Sequence, residues 1–213
     1  MTKGENTKNK IIQIAIKLAA KYGFEQTSFQ MIADELKLSQ SAVMYYFKSK
    51  NALFEELIKT IISHNHKIVS ELMDIKDNAG ERLLKHCAGN ILWAVIYRKS
   101  EAQILILLYY FSCQNKKFAE FFSDMIETGR KRILEHLLAG QREKKFHLTT
   151  DPLEIAKALQ DNLFGAMLYA TAAEKILSQK EIEEKVKLLV KSFTGWENNQ
   201  QKILTKKTGA RFE

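Results

Sequence analysis

An all-α fold is predicted, with a small N-terminal three-helix helix-turn-helix head on a larger helical body and about nine helices in all. Three observations predict it. The 213 residues include a single proline, Pro152; proline inside a helix removes an amide donor and clashes with the preceding turn, so its scarcity suits helices throughout. Apolar residues recur at spacings of three and four in almost every segment, the helical period rather than the strand period. Near the N-terminus, two short capped segments flank a tight turn, the pattern of a helix-turn-helix.

The elements follow in order. Ile11, Ile14, Ala15, Leu18, Ala19 and Tyr22 form one apolar stripe that Gly23 stops. Thr27 or Ser28 caps a short second helix with Ile32, Ala33 and Leu36 turned inward. Ser39 caps a short third helix reaching Phe47, and Ser49 caps a longer fourth carrying Leu53, Phe54, Leu57, Ile58, Ile61 and Ile62. Met73 to Gly80 breaks the period and reads as a loop before a helix over about 81–98. Two further helices cover about 101–114 and 117–140. Asp151-Pro152-Leu153-Glu154 marks the start of the eighth, with a cap, a proline at the first helical position and an acidic third residue. Ser178-Gln179-Lys180-Glu181 is a capping box for the ninth. The expected division is a helix-turn-helix head over 1–50, a larger helical body over 51–196, and a polar tail over 197–213.

With 46% apolar and 27% charged residues, a real core under a charged surface is feasible. The net charge of +8 points weakly to an anionic partner such as nucleic acid. Cys87 and Cys113 have no metal-ligand spacing and read as apolar thiols in a reducing compartment. Met1 to Lys10 lacks the apolar core of a signal peptide. The longest apolar run, Ile104 to Phe111, is too short to span a bilayer. A cytoplasmic protein without membrane partners is expected.

The informative window is Ser28 to Leu53. Val43 and Phe47, four apart, must point into the head, which turns Gln40, Ser41, Ala42 and Tyr45 outward. Such small and hydrogen-bonding groups can enter a major groove. In this window Ile32-Ala33, Leu38-Ser39, Tyr46-Phe47-Lys48-Ser49-Lys50 and Ala52-Leu53-Phe54, with the spacing from Gly23 through Thr27, resemble the signature of TetR-family regulators. The resemblance covers roughly the first quarter of the chain, and the length and helix count suit the family's nine-helix architecture. It implies that Gln40, Ser41, Ala42 and Tyr45 read bases, Gln40 facing an adenine edge and Ala42 a thymine methyl. It also implies that Thr27, Ser28, Tyr46 and Lys50 hold phosphates, Lys50 at a helix start where free N–H groups favour an anion. Two positions depart from the pattern. Lys37 stands where the family commonly has a turn glycine, and a left-handed lysine costs roughly 1 kcal/mol, so a different turn is expected. Met44 stands where a tyrosine is usual and cannot bond a phosphate.

The body carries no such signature. Trp93, Tyr97, Tyr109, Tyr110, Phe118, Phe122, Phe164 and Met167 are rich enough in rings to line an apolar ligand cavity, ordinary core packing being the alternative. The resemblance implies a cavity for the set. Ala158, Gly165, Ala166 and Ala170 on the eighth helix, with Ile182, Val186, Leu189, Val190 and Phe193 on the ninth, suit a homodimeric four-helix interface. A symmetric dimer would read a palindromic operator. His64 and His66 lie two apart and cannot chelate one metal from a helix, so both are expected to be solvated; His86-Cys87 is likewise a poor metal site, and His136 and His147 read as isolated. No nucleophile elbow, phosphate loop or zinc-protease motif is present, so neither enzyme activity nor a metal or cofactor is expected.

The function expected is a DNA-binding transcriptional regulator, a repressor released from a palindromic operator by a small apolar or aromatic ligand. The alternative is an all-α small-molecule-binding protein or enzyme whose helix-turn-helix-like head is incidental.

Overall fold

The computed structural model describes residues 2–97, 99–173 and 177–197; from residue 198 on, the expected tail lies outside them. Nine α-helices and one π-helical turn occur among the described residues, with no strand. Helix α1 spans Lys3–Tyr22, longer than its apolar stripe, because Thr2 and Glu5 form a capping box that satisfies amides in the first turn. Its buried face is Ile11, Ile12, Ala15, Ile16, Leu18 and Ala19, whereas Tyr22 is exposed. Gly23 ends it at φ 85°, a region glycine enters without a Cβ clash.

Ser28, not Thr27, caps α2 (Phe29–Leu36), and Ser39 caps α3 (Gln40–Tyr46). Between them Lys37 adopts φ 54°, ψ 43°, and its amide and that of Leu38 close on Ala33. The lysine therefore takes the left-handed turn itself, against the expectation of a different turn. Capping hydrogen bonds at both flanks and the buried Ile32, Ala33 and Val43 hold it there.

Helix α4 (Lys50–Glu71) crosses from head to body without a break. α5 (Ala79–Leu92) starts two residues before the expected position because Asn78 and Glu81 form a capping box. It runs into a π-helical turn, Trp93–Tyr97. Then come α6 (Lys99–Ser112), α7 (Lys116–Arg142), α8 (Pro152–Ala172) and α9 (Gln179–Thr194). Ten of the fourteen residues of α5 are buried, since α4, α7, α8 and α9 all pack on it. Trp196 lies so close over Gly80 that an added Cβ there would stand 2.2 Å from the indole.

α1 packs on α2, α4 and α6, and α2 on α3. Phe24 and Phe54 meet Phe111 and Phe118 at the joint, with ring centroids of Phe54 at 4.8, 5.0 and 5.4 Å from those of Phe24, Phe111 and Phe118. Lys8 reaches Glu56 and Lys117 reaches Glu55, each at 2.6 Å. Head and body share one continuous apolar core.

Replacing Lys37 by glycine relieves the left-handed cost and is expected to stabilise the chain by about 1 kcal/mol, read as a higher urea midpoint with an unchanged slope.

Candidate functional site

The N-terminal site is a helix held at a fixed roll. Val43 and Phe47 are buried, and Ser39 accepts from the amide of Ala42 while its hydroxyl lies 2.9 Å from that of Ser41. Gln40 and Ser41 are thereby exposed and Ala42 half-exposed. Tyr45 is 74% exposed, its ring edge-on to Tyr46 and beneath the ammonium of Lys48 at 5.6 Å. Met44 is exposed on the same short helix. Gln40, Ser41, Ala42 and Tyr45 thus share one accessible surface.

The expected phosphate set divides. Ser28 and Tyr46 are half-exposed. Thr27 is buried, and its hydroxyl donates to the Gly23 carbonyl at 2.9 Å, so its role is to pin the α1–α2 loop rather than to face solvent. Lys50 folds back to donate to the carbonyls of Phe24 at 3.3 Å and Glu25 at 2.6 Å. Its ammonium serves the same loop, an outcome set by a contact across 25 residues. Lys48, quoted in the motif but assigned no role, is exposed beside Tyr45.

A second candidate site lies inside the body, where α4, α5, the π turn, α6, α7 and α8 enclose a cavity of about 70 Å³. An apolar recess of about 30 Å³ adjoins it and shares Trp93, Leu105, Phe164 and Met167. Of the expected lining, Trp93, Phe164 and Met167 face both spaces and Tyr109 the recess. Phe122 stacks behind them against Tyr109 and Phe164. Phe118 does not contribute, because it is spent on Phe54 and Phe111 at the joint; Tyr110 points outward, 55% exposed. The side chain of Tyr97 lies outside the described residues.

The polar lining was not legible as a site. Asn65 and His66 on α4, His86 and Asn90 on α5, Arg132 on α7 and Gln160 on α8 converge on the cavity. The available signal was local: His86 and Asn90 stand four apart in the second half of α5, where the other residues are apolar or small, so they share one face. Of the histidines expected to be solvated or isolated, His64, His66 and His136 are neither, whereas His147 is exposed. His64 Nδ1 lies 2.9 Å from the buried carboxylate of Glu101, His66 lines the cavity, and the rings of His86 and His136 meet at 5.3 Å. Burial, with His136, Arg132 and His66 nearby, holds His86 well below the ordinary imidazole range. Burial first, and then Arg82 and Arg132, push His136 down to about 4. Burial likewise pushes the Cys87 thiol up to about 12, leaving it a core group rather than a nucleophile. Among the described residues, no three His, Cys, Asp or Glu side chains could hold a metal ion together.

The expected dimer surface also divides. Ile182, Val186 and Val190 are fully buried in the chain's own core, on the helix that packs against α5, and Ala170 is buried too. They are therefore not available to a partner. Gly165 is exposed, and Ala158, Ala166, Leu189 and Phe193 are half-buried; Leu188 and Tyr169, unassigned from sequence, are 67% and 68% exposed.

His136 makes stability depend on pH. Its folded value lies below the unfolded one, so the unfolded chain takes up the proton first. The contribution is complete above about pH 6.5 and is lost as pH falls towards about 4. Between about pH 7 and pH 5, the native chain is expected to lose about 2 kcal/mol more than His136→Gln in urea unfolding.

Residues 11–57 match the sequence profile of the bacterial regulatory proteins of the tetR family. The chain is 39% identical over 66 residues to the HTH-type transcriptional regulator YuxN of Bacillus subtilis, a match to 31% of the chain and 22% of that relative. It is 24% identical over 197 residues to the HTH-type transcriptional regulator YttP of the same organism, covering 88% of the chain and 93% of YttP. The fold is shared with a transcriptional regulator of Saccharomonospora viridis in complex with choline, at TM-score 0.78 and 20% identity over 89% of this chain and 98% of that one. It is shared too with AibR in complex with isovaleryl coenzyme A and operator DNA, at TM-score 0.64 and 18% identity over 87% and 97%. Residues 11–57 thus form a helix-turn-helix domain of the kind that begins the bacterial regulatory proteins of the tetR family, and the chain as a whole follows the fold of the solved transcriptional regulators named above.

Proposed function

We propose that the chain is a homodimeric repressor, released from a palindromic operator when a small molecule with an apolar or aromatic body enters the cavity. Residues 1–50 serve as the reading head and 51–196 as the sensing and pairing body. The observation that carries the DNA part is the exposed face of α3, where Gln40, Ser41, Ala42 and Tyr45 stand out from a helix anchored by buried Val43 and Phe47. Gln40 would read a base edge, and Ser28, Tyr46 and Lys48 would hold phosphates on either side. Lys50 would act through the loop carbonyls it holds.

Pairing falls to the parts of α8 and α9 that remain outside the core: Gly165 and Tyr169, and Leu188 with Leu189 and Phe193. An exposed leucine and tyrosine beside a glycine suit a close isologous contact. Release follows if the ligand favours a head spacing that no longer fits successive major-groove faces; a hundredfold preference supplies about 2.7 kcal/mol of coupling. The fold neighbours support a sensing role without naming the ligand, since one is a complex with choline and another with an acyl coenzyme A.

Binding to the DNA upstream of the protein's own gene, compared with a scrambled duplex at two salt concentrations, tests the reading. Selective binding that weakens steeply with salt supports it; equal weak binding to both duplexes refutes it for that DNA. Gln40→Ala and Tyr45→Ala should each cost about 1–3 kcal/mol of selectivity. Tyr169→Glu with Leu188→Glu should sediment as a monomer and lose tight operator binding while keeping its helical circular dichroism; a dimeric double variant would place the interface elsewhere.

A further inference from the structure

The chemistry lining the cavity identifies the class of effector, an inference that rests on the sensing role proposed above. Arg132 is a permanent cation on the wall. Among the described residues its side chain has no hydrogen bond or ion pair, and the acidic group acting on it is Glu135 on the same helix. No aspartate or glutamate is among the described residues lining the cavity. Two buried ring nitrogens on its walls, Nε1 of Trp93 and Nδ1 of His86, have no partner. An indole N–H can only donate, and a buried donor without an acceptor is a demand that a ligand can meet. The amide of Gln160 is pressed against Gly129, where an added Cβ would stand 2.5 Å from Oε1, so α7 and α8 approach closely beside this polar end.

The adjoining recess has the other character. Phe164 and Met167 continue from the cavity into the recess, which Ile106, Tyr109 and Leu168 close with almost no polar surface. The space therefore has a donor-rich cationic end and an apolar end. A cationic ligand would meet Arg132 with no carboxylate on the walls to offset the repulsion. A purely apolar one would leave the guanidinium and the indole N–H desolvated and unmatched, which costs affinity. The π-helical turn that begins at Trp93 is what delivers the indole to the junction of the two ends; such turns recur at functional sites.

We propose that the body cavity takes an organic carboxylate, its anionic end held by Arg132 and the Trp93 indole N–H and its compact apolar body lying against Phe164 and Met167 toward the recess.

Calorimetric titration of the full chain with phenylacetate and hexanoate, beside the matched alcohols and amines, tests this directly. The carboxylates should bind about tenfold or more tightly than the alcohols, as expected for a hydrogen bond to a charged group, and the amines should not bind. Arg132→Gln should erase the carboxylate preference. Trp93→Phe should weaken carboxylate binding while leaving alcohol binding near its original level. Alcohols or amines that bind the native chain as well as the carboxylates, or carboxylates that do not bind at millimolar concentration, would overturn the assignment without recourse to any variant. Operator titration with and without phenylacetate separates this inference from the release reading. Carboxylate binding that leaves operator affinity unchanged sinks ligand release and keeps the anion site, whereas release by an alcohol or amine alone keeps the sensor and sinks the anion site.

Discussion

The structure depends on one helix being owned by two bodies. α4 begins at the head, against which Leu53, Phe54 and Leu57 are buried, and ends deep in the body with Ile68 and Val69 buried beside α5. A helix cannot bend sharply without a proline, an inserted group or a break in its hydrogen-bond ladder, and none occurs between Lys50 and Glu71. The head is therefore tied to the body's packing. The ring cluster around Phe54 and the ion pairs Lys8–Glu56 and Lys117–Glu55 hold the other sides of the joint. In such a close-packed joint, movement of the body side of α4 carries the α3 surface with it rather than being absorbed.

The cavity sits on the body half of that same helix. Ile62, Asn65 and His66 are within one turn of each other on α4 and form part of its wall. A group that fills the cavity thus presses on the element that carries the head. This gives the proposed sensing a physical route: the cavity wall and the head share one helix, and coupling between sites requires an element that both can bias.

Local chemistry made the head readable from sequence. Ser28, Ser39 and Ser49 each accept a hydrogen bond from the third helical amide after them, and Val43 and Phe47 set the roll of α3 by their burial. Those interactions span a few residues and carry their own signature. Lys37 was misjudged because its penalty was weighed alone; two flanking caps and a buried Ala33, whose carbonyl accepts from both turn amides, outweigh about 1 kcal/mol of local strain. Thr27 and Lys50 turn to the loop instead of outward because their partners, the carbonyls of Gly23, Phe24 and Glu25, become neighbours through loop geometry rather than sequence spacing.

By itself, then, the sequence determined what short-range forces determine: an all-α chain, the starts of α2, α3, α4, α8 and α9, the inward and outward faces of α3, and through its motif the kind of head domain the chain carries. The tertiary structure decided which apolar stripe faces which neighbour. Ile182, Val186 and Val190 look equally suited to a partner or to the core, and the position of α5 gave them to the core. It also decided that His66, His86, Arg132 and Gln160, from four separate helices, share one cavity while Phe118 does not reach it. Helical period reports that a face is buried but not against what, because hydrophobic burial is non-directional. A buried polar group finds its partners wherever the fold brings them, and that information exists only once the helices are packed.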